Sequence, residues 1–216
     1  MEKSFWLERW ELEETGFHQR AVNEDLRAFW SEVDPLGGEP VFVPLCGKSG
    51  DMLWLANQGH PVIGVELSRM AVESFFVENG ISFEWKRHRT FDAAVGGGLR
   101  ILCGDVFDLT GEDLGPVRLA YDRAALVAFP PAMRERYVAH LKNVLQPAAR
   151  ILLVSIEYPE NEMDGPPFSV TRAEIGRLYG GAEIHPLSRR NILPDSPRFS
   201  DRGVTSMESC AYLIEL

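Results

Sequence analysis

Basic side chains are the scarcer charge in this 216-residue chain, with 22 Lys and Arg against 32 Asp and Glu and a net charge of −10. They are scattered instead of gathered into a tract that could neutralise a row of phosphates, which argues against a nucleic-acid partner. Cysteine is equally sparse. Cys46, Cys103 and Cys210 are odd in number and far apart, so they build neither a disulfide framework nor a CxxC redox or zinc pair, and reduced thiols in a cytosol fit best. No stretch approaches the ~18 uninterrupted apolar residues of a membrane span. The opening MEKSFWLERWELEE is charged throughout, unlike a signal peptide. His18, His60, His88, His140 and His185 form no HExxH or other ligand spacing, so no metal site is expected. Low-complexity composition is absent too, since 45% of residues are apolar and 25% charged. The expectation is one large domain, soluble, cytoplasmic and monomeric, with no membrane partner.

What is present is an alternation. The spacing of Trp6 and Trp10 predicts a helix over 4–14, and Asn23 caps a second whose apolar stripe is Leu26, Phe29, Trp30 and Val33. Short apolar runs then predict strands over 41–45, 61–67, 99–103, 117–121, 151–158, 182–187 and 207–216. Between them lie a helix over 51–58, one capped by Ser68 and stopped by Asn79-Gly80, one opened by Pro130-Pro131, and one opened by the capping box Thr171-Arg172-Ala173-Glu174. This pattern predicts an α/β fold with a mostly parallel seven-stranded sheet covered on both faces, and an antiparallel strand at one edge. Residues 39–216 suffice for that Rossmann-like core; residues 1–38 form a helical extension in front of it.

In an open α/β sheet the ligand sits at the carboxyl ends of the strands, near the topological switch point. That places Leu45 to Gly50 at the site, where Gly47 and Gly50 let a ligand approach the backbone. Glu66 closes the second strand 19 residues beyond Gly47, the offset at which a carboxylate accepts from ribose hydroxyls. An adenosine-containing cofactor is implied. Lys48-Ser49 resembles the end of a P-loop, but that pattern needs a glycine where Phe42 stands, and G-x-G-x-x-G is missing. Asp105, after the third strand, stands where a carboxylate accepts from an adenine amino group, or simply caps a turn. Asp122 and Arg123 end the fourth strand and are expected in the same crevice.

Several motifs together resemble one family. They are Val43-Pro44-Leu45-Cys46-Gly47-Lys48, Gly64-Val65-Glu66, Phe107-Asp108-Leu109, Tyr121-Asp122-Arg123-Ala124-Ala125-Leu126 and Gly165-Pro166-Pro167-Phe168, with Phe5-Trp6, Trp10 and Gly16-Phe17-His18 before them. The chain resembles the thiopurine S-methyltransferases along essentially its whole length. The resemblance implies a class I methyltransferase fold, S-adenosylmethionine as cofactor, and an aromatic or heterocyclic thiol as acceptor, with selenium or tellurium compounds posing the same chemical problem. It further implies that Trp10, Leu45, Gly47, Glu66 and Arg123 contact the cofactor, with Asp105 and Val106 flanking its adenine. Phe17 and Arg198 match acceptor-side positions, Arg202 being the substitute for Arg198 where the match is looser.

Methyl transfer between sulfurs needs positioning more than covalent help, and a thiolate reacts far better than a thiol. A guanidinium stays protonated at any working pH and stabilises that anion, so Arg123 and Arg198 are the expected electrostatic catalysts. The leading helices are expected to act as a lid that orders on binding. The rival readings are a class I methyltransferase for another small acceptor and, from a different class, a nucleotide-binding Rossmann oxidoreductase.

Overall fold

The computed structural model of the protein describes residues 3–12 and 21–216. Helices α1 (Lys3–Glu11) and α2 (Glu24–Val33) precede β1 (Val41–Val43), α3 (Asp51–Asn57), β2 (Val62–Glu66) and α4 (Arg69–Glu78). A hairpin of β3 (Glu84–His88) and β4 (Phe91–Gly96) leads into β5 (Leu99–Cys103), α5 (Gly111–Leu114), β6 (Leu119–Arg123) and α6 (Pro131–Val144). The chain ends through β7 (Arg150–Glu157), α7 (Arg172–Leu178), β8 (Glu183–Asn191), α8 (Pro197–Ser200) and β9 (Glu208–Glu215). Asn23, Ser68 and Thr171 each cap their helix, accepting from the backbone of Leu26, Ala71 and Glu174 respectively.

The strands form one nine-stranded sheet in the order β3-β4-β5-β2-β1-β6-β7-β9-β8. The neighbours from β5 to β7 are parallel, while both edges are antiparallel. The expected seven strands are therefore too few. The missed pair is β3 and β4; β4 (FDAAVG) is a short run with Phe91, Ala93 and Ala94 buried, and β3 (EWKRH), at the sheet's edge, carries charge where a buried strand would be apolar. That is the composition of an exposed edge strand, which blunts further pairing. The first strand is also shorter than expected, ending at Val43 because the chain turns at Leu45, whose φ is 47°.

Alternation along the strands builds two apolar layers. Val41, Val43, Val62, Leu119 and Tyr121 face α2, α3 and α4; Phe42, Ile63, Val65 and Ala120 face α6 and α7. No helix among the described residues is long and apolar enough to cross a membrane. The chain leaves β1 toward β2 and β5 on one side, and returns to β6 and β7 on the other, so the switch point falls between β1 and β6.

Glycine is required in β2 at Gly64, where an added Cβ would stand 2.7 Å from the Cys46 sulfur. Overpacking of this kind costs about 1–3 kcal/mol. Urea unfolding should find Gly64→Ala destabilised by that amount and Cys46→Ala/Gly64→Ala largely recovered; equal losses in both would show that the sulfur contact is not the cause.

Candidate active site

The carboxyl ends of β1, β2, β5 and β6 meet at one edge of the sheet. After β1, Leu45 and Gly47 both take left-handed backbone angles, φ 47° and 50°. Such a conformation costs a non-glycine residue about 1–2 kcal/mol, and strain of this size collects at binding sites. Glu66, only 7% exposed, holds the turn in shape. Its Oε2 accepts from the Gly47 N–H at 3.0 Å and its Oε1 from the Ser68 N–H at 2.8 Å, so one carboxylate fastens the turns after both β1 and β2. Burial pushes the Glu66 carboxyl up, and the amides of Ser68, Gly47 and Leu67 pull it only part of the way back.

Helix α1 lies across this edge. The Trp10 ring reaches to 3.4 Å from where a Gly47 Cβ would stand, and Lys48 approaches the same ring at 6.0 Å while binding Glu78 at 2.6 Å. At the other end of the helix, Lys3 forms a 2.7 Å ion pair with Asp105. The second oxygen of Asp105 accepts from Phe107 N–H at 2.9 Å, capping the short 3-10 turn Val106–Asp108. Val106 is buried, and its carbonyl is held by His140 at 2.7 Å.

On the far side of the switch point, Arg123 donates from Nη1 to Asp51 at 2.7 Å. The same Asp51 oxygen accepts from the Tyr121 hydroxyl at 2.9 Å, and the other accepts from the Asn23 N–H at 2.8 Å. Burial alone would lower the Arg123 pKa, but Tyr121 and Asp51 outweigh it and raise the guanidinium above its ordinary value, so it stays charged. Ala124 follows with φ 69°, a second strained residue at the crevice.

Asp122 does not share this crevice, contrary to expectation. Successive strand residues point to opposite faces, so Asp122 turns toward α6, where its carboxylate accepts from the Tyr137 hydroxyl at 2.7 Å and the Leu126 N–H at 3.1 Å. Arg198 lies in α8, in the connection from β8 to β9 at the same rim as the crevice, with its guanidinium 4.6 Å over the Phe199 ring. Burial and then the charge of Arg202 lower its pKa. Phe17 lies outside the described residues. Sequence reasoning passed over Asp51 and Lys3: an acid in the first turn of a helix and a lysine near the chain start each read as ordinary surface chemistry. Far from the crevice, at the amino ends of the parallel strands, Glu183, His185 and Glu215 bring ligand atoms within 4.8 Å of one another, and Arg150 already binds Glu215 at 2.8 Å.

The architecture is that of the class I, Rossmann-like S-adenosylmethionine-dependent methyltransferases. A SAM-dependent methyltransferase from Anabaena variabilis superposes with TM-score 0.65 at 14% identity, over 99% of this chain and 94% of its own. The 1,6-didemethyltoxoflavin-N1-methyltransferase of Burkholderia thailandensis, solved with its acceptor and S-adenosylhomocysteine, gives 0.58 at 17%, over 98% and 86%. The family model for thiopurine S-methyltransferase matches residues 1–216, and the thiopurine S-methyltransferases of Nitrosospira multiformis and Pseudomonas entomophila are each 48% identical, over 99% and 98% of this chain and 98% of their own length. The chain belongs to the thiopurine S-methyltransferase family.

Asp122 generates a test of the core behind the site. Burial pushes its carboxyl from 3.8 up to about 6, because Tyr137 and the Leu126 and Ala125 amides compensate only in part. The folded chain therefore holds this proton more tightly than the unfolded chain. The resulting stabilisation, about 3 kcal/mol, is present below about pH 4 and lost as pH rises through about 6. Urea titrations at pH 4 and pH 7 should find the stability difference between Asp122→Asn and wild type shifted in favour of the variant by about that amount at pH 7; a pH-independent difference would contradict it.

Proposed function

We propose that this protein transfers the methyl group of S-adenosylmethionine to the sulfur of small aromatic or heterocyclic thiols, thiopurines among them. Family membership along the whole chain carries the reading, and the crevice chemistry supports it. S-adenosylmethionine, when bound, supplies a methyl group on a sulfonium that a soft nucleophile readily accepts. The residues fit an adenosine ligand: Glu66, at the carboxyl end of β2, is a carboxylate with acceptor capacity on both oxygens beside the amides it already holds, as a ribose diol would require. Gly47 and the backbone of Leu45 form the floor of that site, and Asp105 and Val106 flank the adenine. Trp10 covers the ligand and excludes water as part of a lid formed by residues 1–38, closed over the core of residues 39–216.

Arg123 holds the acceptor as its thiolate. A charged guanidinium in a poorly solvated crevice favours the ionised sulfur and orients it, and it neither donates nor takes a proton in doing so. Arg198, with Phe17, forms the acceptor side, Arg202 standing in reserve. Three free cysteines, Cys46, Cys103 and Cys210, suit a reducing cytoplasm, and a small-molecule substrate requires neither nucleic acid, membrane nor a second subunit.

A panel of thiols, phenols and amines with S-adenosylmethionine tests the reading: methylation should be confined to the thiols, a thiopurine included, and turnover of phenols or amines alone would refute it. Arg123→Met should lower thiol turnover by about 10²-fold while S-adenosylhomocysteine still binds by calorimetry. Undiminished turnover would remove Arg123 from the chemistry. For the lid, saturating S-adenosylhomocysteine should slow tryptic cleavage after Lys3 and Arg9, and unchanged cleavage rates would count against closure.

A further inference from the structure

Among the described residues, one group of three potential metal ligands lies away from the crevice, at the sheet edge where β8 pairs with β9. Glu183 stands directly opposite Glu215 in this antiparallel pair, and Arg150 of β7 stands opposite Glu215 on its other side. Like charges directly opposite one another destabilise a sheet, so the two carboxylates need positive charge beside them. Arg150 supplies it to one: its Nε donates to Glu215 Oε1 at 2.8 Å, and its Nη1 is fixed by donating to the Val33 carbonyl at 2.8 Å. The second carboxyl oxygen of Glu215 turns to His185 Nε2 at 3.3 Å, and Oε2 of Glu183 approaches the same nitrogen at 3.6 Å. His185 lies two residues along β8 from Glu183, hence on the same face. A proton on Nε2 can be donated to only one of these carboxylates at a time. With its proton on Nδ1 instead, the neutral imidazole presents a lone pair at Nε2, and an ion among the three atoms binds both carboxylates at once.

We propose that Glu183, His185 and Glu215 form a surface site for a divalent transition ion of the Zn²⁺ type, which clasps the edge strand β8 to β9. Donors at about 2.0–2.2 Å from a tetrahedral Zn²⁺ lie roughly 3.3–3.6 Å from one another, the spacing His185 Nε2 already keeps to both carboxylates. All three ligand atoms fall within 4.8 Å, and Glu183, whose side chain is 78% exposed, closes the remaining gap by a change of rotamer at little cost. One imidazole and two carboxylates make a mixed nitrogen and oxygen set that suits Zn²⁺, whereas Mg²⁺ and Ca²⁺ take oxygen ligands in larger number. Water completes the coordination at so exposed a position. Arg150, on the other oxygen of Glu215, orients that ligand as outer partners of metal ligands commonly do. The site is independent of methyl transfer, since the crevice lies at the opposite ends of the strands. The expectation of no metal site rested on spacing among the histidines; here Glu215 comes from a different strand, and only the pairing of β8 with β9 brings it to His185.

Calorimetric titration of the chelator-treated protein with ZnCl₂, in an excess of MgCl₂, tests the assignment. Wild type should bind an equivalent of Zn²⁺ that His185→Ala and Glu183→Gln each weaken by at least about 10-fold, the loss that removal of even an outer partner commonly causes. Cys103→Ser should bind it as wild type does, and Co²⁺ in its place should give no thiolate charge-transfer band. An equivalent that survives both His185→Ala and Glu183→Gln, or a wild type that binds no Zn²⁺, would overturn the site. As a clasp between strands, Zn²⁺ at tenfold excess over its dissociation constant should raise the midpoint of thermal unfolding of wild type by about 3–6 °C and leave both variants unmoved. An equal rise in all three would place the binding elsewhere and refute the clasp. Both substituted side chains are exposed, so both variants should fold, and melts without metal check this; if one variant does not fold, the other carries the same comparison.

Discussion

The carboxyl edge of the sheet depends on one carboxylate accepting two backbone amides. Glu66 binds the N–H of Gly47, in the turn after β1, and that of Ser68, which opens α4. Two loops that would otherwise move independently are thereby fixed relative to each other, and the left-handed turn at Leu45 and Gly47 is held in a conformation that would relax if unsupported. The seat for Trp10 is that same turn, so the position of α1 follows from Glu66 as well. A ligand at this edge meets a surface assembled before it arrives, and less of its binding energy is consumed in ordering loops.

Two buried aspartates near the switch point show how strand alternation divides chemical labour. Asp51, on the face covered by α2 and α3, lies against a guanidinium and supports a permanent charge on Arg123. Asp122, one residue earlier in β6 than Arg123, faces α6 and has hydroxyl and amide donors in place of a cation. Its carboxyl is accordingly pushed up toward neutrality. In a chain with net charge −10, this arrangement keeps the negative charge of the Asp122 neighbourhood on the side of the sheet away from Arg123.

Much of this was legible in the sequence where local rules act alone. Ser68, Asn23 and Thr171 announced three helix starts correctly, because a capping side chain acts on the backbone within three residues of itself. The 19-residue offset of Gly47 and Glu66 points to a ribose acceptor, and the direct hydrogen bond from the Gly47 N–H to Glu66 is not legible in it. The β3–β4 hairpin escaped because an edge strand needs no apolar face, and Glu84, Lys86 and Arg87 look like solvated loop. Asp51 escaped for a different reason. Its partners are 28 to 72 residues distant, so only the folded topology reveals that an ordinary first-turn acid is the anchor of an arginine.

Helix α1 illustrates how geometry can replace an apolar face. Two Trp residues at helical spacing suggested an amphipathic helix packed along its length, yet Trp10 alone is buried in α1. The helix is held at its ends, by Lys3 on Asp105 after β5 and by Trp10 on Gly47 after β1. Strands β5 and β1 are separated by β2, two inter-strand steps or about 10 Å. Seven helical residues from Lys3 to Trp10 rise about 10 Å as well, whereas the same residues extended would overshoot to more than twice that. Helical geometry is thus what lets these two side chains reach both ends of the crevice at once. Lys3 pairs with Asp105 at 2.7 Å and with Asp108 at 3.8 Å, and exposed ion pairs of this kind contribute about 1 kcal/mol or less each.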